Sequence, residues 1–325
     1  MYKDLAVTTG LHRDHLHEFK GRLIAVSPDD VASRIGCGDV VIATHWSTAA
    51  LVAALPRSAG RKAYFVQHYE AHSFDRAAVD ATWRLPLRKI VVATWLRDLA
   101  AECFNDPTAI HAPNGVDTTQ FDAVPRSVGH PPSVGLMYST APWKGAKDAF
   151  QAVSLARKME PDLEVICFGA MKPQRSLPLP NGTRFHYQPR QDRLRDIYAA
   201  ADIWLCPSET EGFSLPPLEA MACRCPVVAT RCGGPEDFVQ DGKNGFLVPV
   251  GDVEAMAERI VTLVTNGPLW RRMSDEAYMT RERFSLARSS SAFEQAILEV
   301  AGGGQTSTDA RTVDSGYGEG EVRTA

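Results

Sequence analysis

From Asp39 onward, short runs of apolar, β-branched residues alternate with longer runs of helical period. DVVIAT (39–44), KAYFVQ (62–67), KIVVAT (89–94) and TAIHAP (108–113) are apolar throughout rather than alternating. That is the pattern of parallel strands covered on both faces. Helices are predicted over 48–55 and up to Phe104. HAPNGVDTTQFDAVPRSVGHPPS (111–133) breaks the rhythm with Pro, Gly, Asn and Asp, and reads as a boundary between domains. The rhythm restarts with SVGLMYS (133–139), a helix over 146–159, LEVICFGA (163–170), RFHYQP (184–189), a helix over 192–200, DIWLCP (202–207), a helix from Leu215, PVVAT (226–230) and a helix over 235–239. Three helical segments follow, over 253–266, 268–284 and 286–300.

Strands alternating with helices predict an α/β fold of two doubly wound parallel-sheet domains facing a cleft. In that class, ligands sit beyond the carboxyl ends of the strands. The expected division is a first α/β domain over 1–124, a second, ligand-binding α/β domain over 125–285, and a helix over 286–302 packing back on the first domain. The Gly/Ser/Thr-rich tail over 303–325 is expected to be disordered.

The 325 residues are 44% hydrophobic and 23% charged, with a net charge of −4, which argues against a chain that holds nucleic acid by bulk charge. No apolar run resembles a signal peptide or is long enough to span a bilayer. The seven cysteines include no C-x-x-C and read as free thiols in a reducing compartment. These features point to the cytoplasm, with peripheral attachment at the inner face of the membrane left open. No metal site is expected: the C-x-C of Cys223 and Cys225 has no second ligand cluster nearby, His68 and His72 are four apart but follow a strand and lack a third ligand, and the spacing of His12, Asp14, His15, His17 and Glu18 matches no known site.

The chemistry concentrates in PSETEGFSLPPLEAMACRCPVV (207–228). A strand ends at Pro207 and a polar turn follows. Gly212 is expected to supply backbone freedom and Ser214 to cap a helix whose first turn holds Pro216 and Pro217. The amides around Gly212, Phe213, Ser214 and Leu215 would then face a diphosphate or sugar hydroxyls. Glu211 precedes the helix and Glu219 lies one turn inside it, so both can face one pocket.

The string from Pro207 to Ala222 closely resembles the Glu-x7-Glu signature of family 4 retaining glycosyltransferases, which have the two-domain GT-B fold. The resemblance runs well from about residue 108 to 300. It implies transfer of a hexose or deoxyhexose from a nucleoside diphosphate sugar to a saccharide or lipid-linked acceptor, without a metal or other cofactor, in polysaccharide or glycoconjugate synthesis. It implies that the first domain is the acceptor side and that the second binds the nucleotide sugar. It places Glu211 against the donor sugar, Glu219 on the ribose hydroxyls and Lys144, in WKG, on the diphosphate. Fixed positive charge there would steady the leaving group. His68, just past a strand end, matches a histidine that contacts the donor sugar. His45 and Trp46, at another strand end, are candidates for the acceptor side. Asn114, Gly115 and Asp117 match a turn expected to shape the hinge, with Gly115 at a special dihedral and Asp117 capping.

Three departures stand out. No Gly-rich loop precedes Asp39, so the first domain is expected to lack one or two strand–helix units. Ser139 stands where an arginine is usual. Arg224 stands where a glycine often ends the helix. The first departure leaves an alternative open: a catalytically impaired donor-binding module or partner subunit.

Overall fold

The computed structural model describes residues 24 and 26–302; the histidine cluster at 12–17 and the tail over 303–325 lie outside them. The first sheet holds β1 (Val40–Ala43), β2 (Arg61–Val66), β3 (Arg88–Val91) and β4 (Ile110–His111), in that order and all parallel. Short helices α1 (Val31–Arg34), α2 (Trp46–Ala54), α3 (Arg76–Trp83) and α4 (Thr94–Phe104) surround it. Successive strand residues face opposite sides, and both sides are covered. Tyr64, Val66 and Val91 pack with Val52, Val79 and Leu96, whereas Ala63 and Ile90 pack with Ala296 and Val300. This two-sided burial is why the strands read as unbroken apolar runs.

The second sheet holds β5 (Ser133–Met137), β6 (Glu164–Gly169), β7 (Arg184–Tyr187), β8 (Ile203–Cys206), β9 (Val227–Thr230) and β10 (Gly245–Val248). All are parallel, in the order β10-β9-β8-β5-β6-β7. Its helices are α5 (Ala146–Ala156), α6 (Gln191–Ala200), α7 (Leu215–Ala222), α8 (Val253–Thr265) and α9 (Gly267–Arg283). Met256, Ala257, Ile260, Leu263 and Val264 make the buried stripe of α8, and Asp252 caps its start by accepting from the Ala255 amide. The last helix, α10 (Leu286–Gly302), returns to the first sheet, where Ala296 and Val300 are buried.

The strand order reverses between β5 and β8. The loops after these two strands therefore diverge and leave a crevice at the carboxyl edge, where this class of sheet takes its ligands.

Several elements differ from the sequence reading. The helix expected over 235–239 is a 3₁₀ turn, Gly234–Asp237. Strand β10 and helix α3 were not anticipated. GFLV is too short to show a period, and RAAVDATW buries only Val79, Thr82 and Trp83. Gly115 does not have positive φ; a Cβ there would meet the Ser285 carbonyl oxygen at 2.5 Å, so close chain approach is the reason for glycine. At that crossing Val116 donates to Phe284 and Leu286 donates to Val116, each at 2.8 Å. Asp117 Oδ1 accepts from the Thr119 amide and hydroxyl and the Gln120 amide, and these bonds lower its pKa.

Candidate functional site

The loop after β8 is held on three sides. The Glu211 amide donates to the Cys232 carbonyl, and the Gly234 amide donates to the Glu211 carbonyl. The Glu209 amide donates to the Trp143 carbonyl, at the turn after β5. The Trp95 indole, from the start of α4 in the first domain, donates to the Gly212 carbonyl at 3.0 Å. Gly212 presses against the first domain so closely that a Cβ would lie 1.8 Å from the Gln67 carbonyl oxygen. Its φ is not positive. The expectation of backbone freedom at Gly212 is therefore corrected: the position requires the absence of a side chain.

Glu211 is 6% exposed, and its Oε1 accepts from Lys144 Nζ and from Ser208 Oγ, each at 2.7 Å. Lys144 reaches it from the turn after β5, where Gly145, at φ +63°, lets the chain pass against the Pro207 carbonyl. Lys144, Glu211, Ser214, Pro216 and Pro217 line a void of about 20 Å³. The loops on either side of the topological reversal thus bring a cation and a carboxylate together.

Ser214 occupies the position before α7 but does not cap it. Its backbone is left-handed, with φ +72°, and its Oγ lies 3.6 Å from Cys206 Sγ. A cap needs extended backbone to aim the hydroxyl at the first turn. Pro216 and Pro217 occupy that first turn without loss, since neither has an N–H to satisfy. The amides of Gly212, Phe213 and Ser214 find no acceptor among the described residues. The Phe213 ring is buried against Phe238 and Phe284, so only its backbone can reach a ligand; Leu215 is 37% exposed.

Glu219 accepts from the Tyr198 hydroxyl at 2.6 Å and does not line the void beside Glu211. Burial raises its pKa, against the lowering effect of the Tyr198 bond. The two glutamates therefore have different partners, Tyr198 for Glu219 and Lys144 with Ser208 for Glu211. Helix α7 turns the Glu219 side chain toward α6.

His68 follows β2 at the same rim. Its Nδ1 donates to the Tyr69 carbonyl at 3.0 Å, and its Nε2 is buried without a partner among the described residues. Burial and the neighbouring His72 lower its pKa, outweighing the opposite pull of Tyr69 and Glu211. A neutral ring with the proton on Nδ1 presents Nε2 as an acceptor. His72 stacks edge-on to Trp143, with ring centroids 4.8 Å apart, and so joins the two domains.

His45 caps α2: its Nδ1 accepts from the Ser47 amide, while Thr48 Oγ1 accepts from the His45 amide. Trp46 begins that helix. Ser139 Oγ accepts from the Ala141 amide and puts no positive charge in the crevice. Arg224 does adopt the left-handed cap, with φ +62°.

Four residues of this rim escaped the sequence reading: Ser208, Trp95, Trp143 and Asp237. Asp237 Oδ2 accepts from the Thr94 amide at 2.8 Å, which gives α4 its N-terminal partner from the other domain. Trp95 and Trp143 each follow a strand end, and that position was the available signal. Among the described residues, no group of three His, Cys, Asp or Glu side chains is placed to hold a metal ion.

Residues 132–266 match the family described as Glycosyl transferases group 1. A stretch of 112 residues is 35% identical to N-acetyl-alpha-D-glucosaminyl L-malate synthase of Bacillus anthracis, covering 34% of this chain and 29% of that protein. A stretch of 120 residues is 34% identical to D-inositol 3-phosphate glycosyltransferase of Streptomyces bingchenggensis, covering 37% and 26%. The chain thus spans under a third of these two relatives' length. Across both domains, HepE of Anabaena, solved with UDP-glucose, superposes with a TM-score of 0.68 at 19% identity, covering 79% of this chain and 78% of that one. Sucrose-phosphate synthase of Thermosynechococcus elongatus gives 0.67 at 18%, covering 80% and 73%. Residues 132–266 therefore resemble the glycosyl transferases group 1 family, and the two parallel-sheet domains together have the GT-B fold.

Proposed function

We propose that the protein is a retaining, metal-independent glycosyltransferase that takes a hexosyl or deoxyhexosyl unit from a nucleoside diphosphate sugar and passes it to a saccharide or lipid-linked acceptor in the synthesis of a cell-surface polysaccharide or glycoconjugate. The observation that carries this reading is the meeting of Lys144 and Glu211 at the reversal of the second sheet, beside unpaired amides at Gly212 to Ser214. A diphosphate there takes the Lys144 ammonium and the amides. That exchange frees Glu211 to accept from a sugar hydroxyl and to steady positive charge at the reacting carbon. His68 Nε2 accepts from a second hydroxyl. Glu219, one turn into α7, takes the ribose hydroxyls. Charge on the leaving diphosphate is met by Lys144 and backbone dipoles rather than by a metal.

HepE was solved with UDP-glucose, so UDP-sugars are the first donors to test, with GDP- and dTDP-sugars beside them. Calorimetry measures binding and donor hydrolysis measures turnover. Glu211→Gln keeps the shape and removes the charge. It is expected to lower turnover by roughly 100- to 1000-fold while donor binding changes far less. Undiminished turnover in this variant would remove Glu211 from its role. Binding without turnover in the wild type would instead favour a donor-binding module.

A further inference from the structure

On the first domain, one strand over from His68, a second arrangement is left over from the donor site. His45, Trp46 and Phe74 form a continuous aromatic surface. The Trp46 and Phe74 centroids are 5.2 Å apart and tilted by 48°, and His45 stands edge-on to Phe74 at 5.8 Å. Phe74 is 46% exposed and the His45 side chain 45% exposed. Beneath them lies Glu70, with a side chain only 14% exposed, its Oε1 3.8 Å from His45 Nε2 and its Oε2 accepting from the Tyr64 hydroxyl. Burial raises the Glu70 pKa. The Trp46 indole N–H is buried and finds no acceptor among the described residues.

A patch held only for stability would turn these rings inward and leave no buried indole N–H short of an acceptor. The set instead combines exposed, mutually tilted aromatic rings with a few polar groups, the ingredients of a small-molecule site. A pyranose ring has the complementary surface. Its axial C–H face packs on an aromatic ring, and its equatorial hydroxyls bond to carboxylate and N–H groups at the ring's edge. His45 Nδ1 is already occupied by accepting from Ser47, so its proton belongs on Nε2, facing Glu70. That pair offers one donor and one acceptor side by side.

The surface is also in the right place. The Gln67 side-chain amide donates to the Thr44 carbonyl at 3.1 Å, locking the end of β1 to the end of β2, where Gln67 and His68 touch the Glu211–Gly212 loop. The segment from Glu70 to Phe74 includes His72, whose ring meets Trp143 next to Lys144.

We propose that Trp46 and Phe74, with Glu70 and His45, form the acceptor subsite, and that the acceptor presents a sugar ring to it rather than a bare lipid phosphate. This rests on the glycosyltransferase reading. The test uses the full chain with UDP present and a panel of methyl pyranosides (glucoside, galactoside, mannoside, rhamnoside and N-acetylglucosaminide) in saturation-transfer NMR. A polyprenyl phosphate in detergent serves as competitor, and UDP-glucose binding is measured in parallel. At least one glycoside is expected to receive saturation mainly at its axial ring protons. Its affinity is expected to fall tenfold or more in Phe74→Ala and Glu70→Gln, with UDP-glucose affinity in Phe74→Ala within twofold of wild type. Because Phe74 is half exposed, its removal leaves the core intact, and Phe74→Tyr is expected to restore glycoside binding. Glycosides that bind the variants as well as the wild type overturn the proposal. So does a wild type that binds UDP-glucose and the polyprenyl phosphate but no glycoside. A wild type that binds glycosides at this surface but no nucleotide sugar refutes the donor assignment and leaves the subsite standing.

Discussion

Gly212 shows how much one hydrogen atom in place of a methyl group can decide. The Gln67 carbonyl of the first domain occupies the volume a Cβ would need. Gly212→Ala must therefore push the domains apart or distort the donor loop. Overpacking of this kind costs about 1–3 kcal/mol, so the melting temperature is expected to fall together with donor binding. Unchanged binding would show that the loop is not set by this contact. At the same scale, Glu219 makes a pH-dependent prediction. Its folded pKa lies above the ordinary value of 4.5, so the folded state holds the proton more tightly than the unfolded one. Its favourable contribution is complete below about pH 4.5 and is lost as pH rises through the folded value. Glu219→Gln carries no such titration. The melting-temperature difference, variant minus wild type, is expected to grow more positive from pH 5 to pH 8. A difference independent of pH would mean that Glu219 titrates normally. For His68 the sign is opposite: its depressed pKa makes stability fall as pH drops below about 6.5.

Among the elements, the strands were the most legible. DVVIAT and DIWLCP contain β1 and β8, and KAYFVQ and KIVVAT cover all but the first residue of β2 and β3, because two-sided burial leaves a continuous apolar run. The site was legible in part. The string around Glu211 identified the loop after β8, but the sequence could not show that Lys144 and Glu211 meet, because that contact depends on the strand order of the sheet. Nor could it separate glycines kept for dihedral freedom from those kept for close approach, and at both Gly115 and Gly212 the second reason holds. Ser214 was misread for a related reason: a hydroxyl before a helix suggests a cap, but its left-handed backbone turns it away. Arg224 carries the opposite lesson, a non-glycine in a left-handed cap. Its Nε donates to the Ala123 carbonyl, its Nη1 lies 2.7 Å from Asp275, and its guanidinium covers the Tyr278 ring at 3.9 Å. Arg224→Ala loses those contacts and keeps the strain, whereas Arg224→Gly loses them and relieves about 1 kcal/mol of it. Denaturant unfolding is expected to rank wild type first, then Gly, then Ala. An Ala variant at least as stable as the Gly variant would show that the backbone is not strained there.

In the whole molecule, several specific contacts join the two domains beside the donor loop. They include Trp95 to Gly212, Thr94 to Asp237, and the ring contact of His72 with Trp143. All lie at the rim of the crevice, so binding and domain geometry are linked. The chain crosses between domains again at Val116 and Ser285, before α10 covers the open face of the first sheet. Ala296→Asp would put a carboxylate without a partner at a position 2% exposed. It is expected to destabilise the first domain by about 3 kcal/mol and to split calorimetric unfolding into two transitions. One transition at an unchanged temperature would show that α10 is not needed there.

The return of α10 also sets an order of events at the ribosome. Strands β1 to β4 emerge first, yet one face of their sheet is closed only by Ala296 and Val300, among the last described residues to be made. The second domain has all its strands and helices by Arg283 and can assemble while the chain is still being extended. The half of the molecule synthesised first is therefore the half completed last. Until its closing helix arrives, Ala63, Ile90 and their neighbours remain exposed to chaperones and to neighbouring nascent chains.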